Sequence, residues 1–202
     1  MPPKHFIDHE RETRAKFVVD SDIIVDDITD VMDNFIDYTN DFFQYLMDRD
    51  IHIRVTSVTG NRVNDTTYWE PGIWIDGNQI LGIGNNYSTV VVNPTDKSIV
   101  FAGSYNISAD SSEADHLMND ITPLQGNGYI FVFNSYGQPA DGSDVLKNFF
   151  ADQFGAYKYG NKPIPNRTAW CMIHAEGRGN IAEKKSAVKN STATIDTIIR
   201  FD

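Results

Sequence analysis

One cysteine, Cys171, is all that the 202 residues contain. No disulfide can close within the chain, and a reducing compartment or an assembled particle suits it. No apolar run approaches the roughly 20 residues that cross a bilayer. The opening stretch MPPKHFIDHERETRAKF has no apolar segment of the secretory type. Synthesis in a cytoplasm, with no membrane partner, is the expectation from both absences. Basic residues are also few: 17 Lys and Arg stand against 28 Asp and Glu, a net charge of −11. A chain so acidic is poorly suited to displacing counterions from a phosphate backbone, which argues against nucleic acid as a partner. The five histidines, His5, His9, His52, His116 and His174, show no metal-ligand spacing, so no metal or cofactor is expected. GIGNN (82–86) and GRGN (177–180) lack the strand–loop–helix setting of a nucleotide loop and read as turns.

What is present divides at about residue 50. Residues 1–50 carry 13 acidic against 5 basic residues, net −8, whereas residues 51–202 carry 15 against 12, net −3. Residues 1–20 are polar and mixed in charge, the pattern of an extended tail that docks on a partner. In residues 21–50, Val25, Ile28, Met32, Phe35, Thr39, Phe42 and Leu46 follow 3-4 spacing. Ile24, Ile28, Val31, Phe35, Tyr38, Phe42 and Tyr45 follow the complementary series. Together they predict an amphipathic helix whose apolar stripe is wider than a two-stranded seam. Asp26, Asp30, Asp33, Asp37 and Asp41 occupy the other face. Such a helix is marginal alone in water, so something must cover the stripe. It can fold back on its own domain, or self-associate through Val25, Ile28, Met32, Phe35, Phe42 and Leu46 into a symmetric bundle, trimer before dimer. Calcium binding by the Asp ladder is a third alternative, although the ladder lacks the Gly-containing loop of a calcium hand.

From residue 51 the period changes to two. IHIRVTSV (51–58) alternates Ile51, Ile53 and Val55 with His52, Arg54 and Thr56, a strand with one buried face. Asp76-Gly77-Asn78 joins two short strands as a hairpin, and Asn93-Pro94-Thr95-Asp96 turns between two more. Asp110, with Glu113 three residues on, is the expected N-cap of a helix that buries Ala114, Leu117, Met118 and Ile121. GYIFVFN (128–134) suits a strand covered on both faces. Ser143 is the expected N-cap of a second helix with a Leu146/Phe149/Phe150/Phe154 stripe, closed by Gly155. A strand RTAWCMIHA, a short basic helix around NIAEKKSAVKN and a strand TATIDTIIRF complete the pattern.

Cys171 and His174 are the one local pair that could act as nucleophile and base. Side chains alternate along a strand, so Ala169, Cys171, Ile173 and Ala175 share one face while Trp170, Met172 and His174 share the other. A thiolate–imidazole pair needs hydrogen-bond reach, so a dyad is disfavoured and Cys171 reads as core. Asp141 and Asp144 sit at a helix start, where capping accounts for them. No carboxylate pair has local acid–base geometry, and no catalytic residue is assigned. Trp69, Trp74, Tyr87, Tyr136, Tyr157 and Tyr159 are the aromatic rings available for stacking on a sugar.

The order of elements over residues 73–202 resembles the ILEI/PANDER-like domain. STVVVNPTDKSIVFAGSYNI leads to SSEADHLMNDI, YIFVFNSYG, VLKNFFADQFGA, NRTAWCMIHAEG and ATIDTIIRF. Arg167 to Trp170 with Gly177 carries its most specific part. That family occurs in secreted cytokine-like proteins, in the stem of an O-mannose N-acetylglucosaminyltransferase and in phage tail proteins. The resemblance implies an α+β fold, a compact β-β-α sandwich of two mainly antiparallel sheets with short helices outside, and no catalysis. In the stem-domain member the fold binds a sugar through an Arg matching Arg167 and an acidic residue that here corresponds to Ser135 or Tyr136. The secreted members' paired cysteines are absent. The expectation is a non-enzymatic virion component, tail- or fibre-associated, with a carbohydrate-binding module as the alternative.

Overall fold

The computed structural model describes residues 32, 35–40, 50–59, 70–82, 86–137, 143–160, 168–186 and 191–201. Two compact units divide the chain, Met1–Asp48 and Arg49–Asp202. In the first, residues 35–40 are helical, and the Thr39 hydroxyl donates to the Phe35 carbonyl at 2.6 Å. The expected tail over 1–20, and Val25, Ile28, Phe42 and Leu46 of the expected stripe, lie outside the described residues.

The second unit is α+β, mostly strand with a few short helices. Its described strands are β1 (Ile51–Thr59), β2 (Gly72–Ile75), β3 (Asn78–Leu81), β4 (Tyr87–Val92), β5 (Ile99–Tyr105), β6 (Ile130–Gly137), β7 (Trp170–Ala175), β8 (Gly179–Lys185) and β9 (Thr192–Ile199). The helices are α1 (Glu113–Ile121), continued by a 3-10 turn at Thr122–Leu124, then α2 (Ser143–Phe154) and α3 (Tyr157–Gly160). β1 pairs antiparallel with β2 and β9, and β3 adds to β2. A second antiparallel array runs β5-β4-β6-β7-β8. The arrays join where β1 and β6 pair in parallel, Val58 with Tyr136 and Thr59 with Gly137.

Local chemistry accounts for the turns. Asp76 and Gly77 both have positive φ, +48° and +80°, the geometry that lets a two-residue turn match the strand twist. Gly155 has φ +68° and its N–H reaches the Ala151 carbonyl at 3.1 Å, ending α2 in the left-handed manner glycine permits.

Alternation on the second array supplies two cores. Val90, Val92, Ile130, Val132, Cys171 and Ile173 meet Ile51, Ile53, Val55, Ile73 and Ile195 of the first array. Facing the other way, Phe131, Phe133, Trp170 and Met172 meet Leu117 and Ile121 of α1 and Leu146, Phe150 and Phe154 of α2. β6 is therefore dry on both faces, as its continuous apolar run implied.

Four expectations need correction. Residues 179–185 form strand β8, not a basic helix: Gly177 and Gly179, both at positive φ, turn the chain back on β7, which pairs it from Trp170↔Lys185 to Ala175↔Gly179. The α1 cap lies two residues later than expected, at Ser112. Asp110 instead holds the preceding turn, accepting from the Ser112 N–H at 2.9 Å and hydroxyl at 2.8 Å, and α2 already includes Ser143. Thr56, expected on an exposed face, is buried, and its Oγ1 accepts from Thr194 Oγ1 across β1–β9 at 3.3 Å.

Phe150 touches most of the helical core, with ring centroids 5.0 Å from both Phe133 and Trp170. Phe150→Ala should lower the unfolding free energy by about 3–5 kcal/mol, read from urea denaturation. A loss below about 1 kcal/mol would contradict this packing.

Candidate functional site

Arg167 lies outside the described residues, which resume at Thr168. The two positions set beside it are Ser135 and Tyr136, at the end of β6. Ser135 is fully buried. The antiparallel register of β6 on β7 runs from Ile130↔Ala175 to Asn134↔Cys171. One residue further, hydroxyls take over the pairing. The Trp170 N–H is shared between Ser135 Oγ at 2.9 Å and Ser57 Oγ at 3.1 Å. Ser135 Oγ donates to the Trp170 carbonyl at 3.1 Å, Ser57 Oγ donates to the Ser135 carbonyl, and the two hydroxyls lie 3.0 Å apart. Two serines thus satisfy main-chain groups where β1, β6 and β7 meet, a place where unpaired polar atoms would be costly. Tyr136 is partly buried. Its N–H donates to the Asn86 carbonyl at 2.8 Å, and burial pushes its hydroxyl above the ordinary value.

Cys171 and His174 point to opposite sides of β7. The thiol is buried in the core between the strand arrays, donates toward the Ala193 carbonyl at 3.5 Å and is pushed up to about 12 by burial. A thiol held protonated in this way is a poor nucleophile. The His174 ring packs edge-on to Phe154, centroids 5.3 Å apart, and its Nδ1–H donates to the Phe154 carbonyl at 3.0 Å. Among the described residues no group of three or more His, Cys, Asp or Glu side chains is placed to hold a metal ion.

The polar centre that pattern reasoning missed is Glu183. It sits on β8 opposite Met172, nearly fully buried, on the helical side of the sheet. Its Oε1 accepts from Trp170 Nε1–H at 2.8 Å. Its Oε2 accepts from the N–H groups of Tyr157 and Lys158 at 3.0 and 2.9 Å. Lys158 Nζ donates back to the Glu183 carbonyl at 2.6 Å, and Lys185 Nζ donates to the Lys158 carbonyl at 3.1 Å. Charge-assisted bonds of this kind compensate the burial of the carboxylate. They tie the short helix α3 to the sheet. Ala182, Glu183, Lys184 and Lys185 favour helix locally, so no short window signalled it.

Of the six aromatic rings considered for stacking, the structure sorts four. Tyr87 is in the helical core. Trp74 is buried beneath the Arg54 guanidinium, 4.1 Å from the ring centroid. Tyr136 is partly buried, and Tyr157 on α3 is 55% exposed. Trp69 and the side chain of Tyr159 lie outside the described residues. No protein-family model matches the chain, and no curated protein matches it.

Burial holds the His174 imidazole below its ordinary value of 6.5, against the upward pull of the Phe154 carbonyl and of Glu176. The unfolded chain then takes a proton more readily than the folded one. The contribution of His174 is complete above about pH 6.5 and is lost as pH falls through the lower folded value. The urea midpoint should drop more between pH 7.5 and pH 5 in the wild type than in His174→Phe. Equal drops in the two proteins would exclude His174 as a source of acid sensitivity.

Proposed function

We propose that this chain is a non-enzymatic assembly and attachment protein of a virion, of the tail- or fibre-associated kind found in tailed phages. Residues 21–50 form an amphipathic helix that brings copies together, a trimer before a dimer, and residues 1–20 dock that assembly onto a larger one. Residues 51–202 form a β-β-α sandwich of the ILEI/PANDER-like type that meets the host surface. One observation carries the assembly part of this reading. Met32, Phe35 and Ile36 are 58%, 53% and 49% exposed on a helical segment, an apolar face that a second copy would cover. The virion setting rests on the resemblance described above, an argument from fold analogy.

The treatment of reactive groups supports a non-catalytic role. Ser57, Ser135, Cys171, His174 and Glu183 are each bonded to main-chain or indole groups inside the fold. An alternative reading, a carbohydrate-binding module, is favoured by the exposed Tyr157 ring on a helix whose backbone is anchored by Glu183.

Charges placed on the exposed apolar face should separate the copies without touching the strand-rich unit. Met32→Asp with Phe35→Asp should convert an oligomer to a monomer in sedimentation velocity, with an unchanged near-ultraviolet circular dichroism spectrum. An unchanged sedimentation coefficient would overturn the assembly role of this face.

A further inference from the structure

Asn127 and Gly128 form the one Asn-Gly step in the chain. Both are exposed, in the turn between the 3-10 turn and β6. A glycine after asparagine puts no side chain in the way and gives the backbone its widest freedom, so the asparagine can close on its own main chain. In that reaction the Gly128 nitrogen attacks Asn127 Cγ and gives its proton to solvent. The Cγ–Nδ2 bond breaks, and the departing amide group takes a proton from water and leaves as ammonia. Water then opens the five-membered imide at either carbonyl, leaving aspartate or its isomer with one extra backbone carbon.

The attacking and the leaving nitrogen are both engaged. The Gly128 N–H donates to Glu176 Oε2 at 2.5 Å. The same carboxylate accepts from the N–H groups of Gly126 and Tyr129 at 2.6 and 3.0 Å. The Glu176 N–H donates to the Tyr129 carbonyl at 3.0 Å. The main chain is therefore clamped on both sides of Asn127. Asn127 Nδ2 donates to the Leu124 carbonyl at 2.9 Å and to the Gln125 carbonyl at 3.4 Å.

Charge adds to this restraint. Attack requires the Gly128 nitrogen to lose its proton, which would set an amide anion against a carboxylate. A like charge at that distance disfavours the ionised form. Attack must also break a charge-assisted hydrogen bond, the stronger kind.

We infer that the Asn127–Gly128 step is a deamidation site held closed by the Glu176 carboxylate. Once modified, the site does not close again. The product carboxylate at 127 has no N–H to donate to the Leu124 and Gln125 carbonyls. It also adds a negative charge to a turn already built around that of Glu176. Deamidation thus loosens the link between the 126–129 turn and the end of β7.

The test follows ammonia loss at Asn127 in the full chain, by mass spectrometry of the peptide that contains it, during incubation in mildly alkaline buffer. Wild-type protein should react slower when folded than in denaturing urea by about tenfold or more, the factor that one charge-assisted hydrogen bond carries. Equal rates would overturn the inference. Glu176→Gln and Glu176→Ala should each speed the reaction in native buffer while keeping the wild-type near-ultraviolet circular dichroism spectrum. The wild-type rate in both variants would remove Glu176 as the restraint. Asn127→Asp carries the product charge and should lower the urea midpoint; an unchanged midpoint would refute the loosening.

Discussion

Strands β6 and β7 each send alternate side chains into two different cores, and the rest of the second unit is arranged around that constraint. On one side Val132, Cys171 and Ile173 need the strands of the first array to cover them. On the other, Phe131, Phe133, Trp170 and Met172 need α1 and α2. A shift of one residue in either strand would exchange the two sets, placing aromatic rings in the space shaped for branched aliphatics. The same constraint sets the fate of Cys171 and His174. Three positions apart on a strand, they belong to different cores and cannot cooperate.

A sheet dry on both faces leaves little water for polar groups at its ends, and buried hydroxyls, the buried Glu183 and the partly exposed Glu176 answer that need. Ser57 and Ser135 take over the pairing of Trp170 where the β6–β7 ladder stops. Glu183 satisfies three N–H groups beneath α3, and Glu176 does the same for the turn at 126–129. In another setting such residues would suggest chemistry. Here their partners include the protein's own main chain, one indole and neighbouring polar side chains, the role that close packing assigns to polar side chains.

The parts of this fold legible in the sequence are those governed by nearest neighbours. The alternation in β1, the Asp76-Gly77 hairpin, the apolar run of β6 and the stripe of α2 each follow from a short window. β8 was not legible because its Ala, Glu and Lys residues favour helix locally. Its strand form comes from the glycine turn before it and from pairing with β7, with Glu183 reaching partners on α3. Ser135 entered only through the resemblance, since its partner Ser57 lies 78 residues away, beyond any local pattern. The caps of α1 and α2 shifted by one or two residues, as helix ends do when several hydroxyls and carboxylates compete for the first turn. Tyr157 could be named from the sequence as an aromatic ring, but its exposure on an anchored helix depends on Glu183.

The central claim is that the apolar helix face meets other copies of the chain rather than remaining in water. Light scattering on the full chain, over a hundredfold range of concentration, tests it most directly. The account predicts a mass near three times the 22.8 kDa of one chain, with dissociation at the dilute end if the bundle is weak. A mass of one chain across the whole range would contradict it.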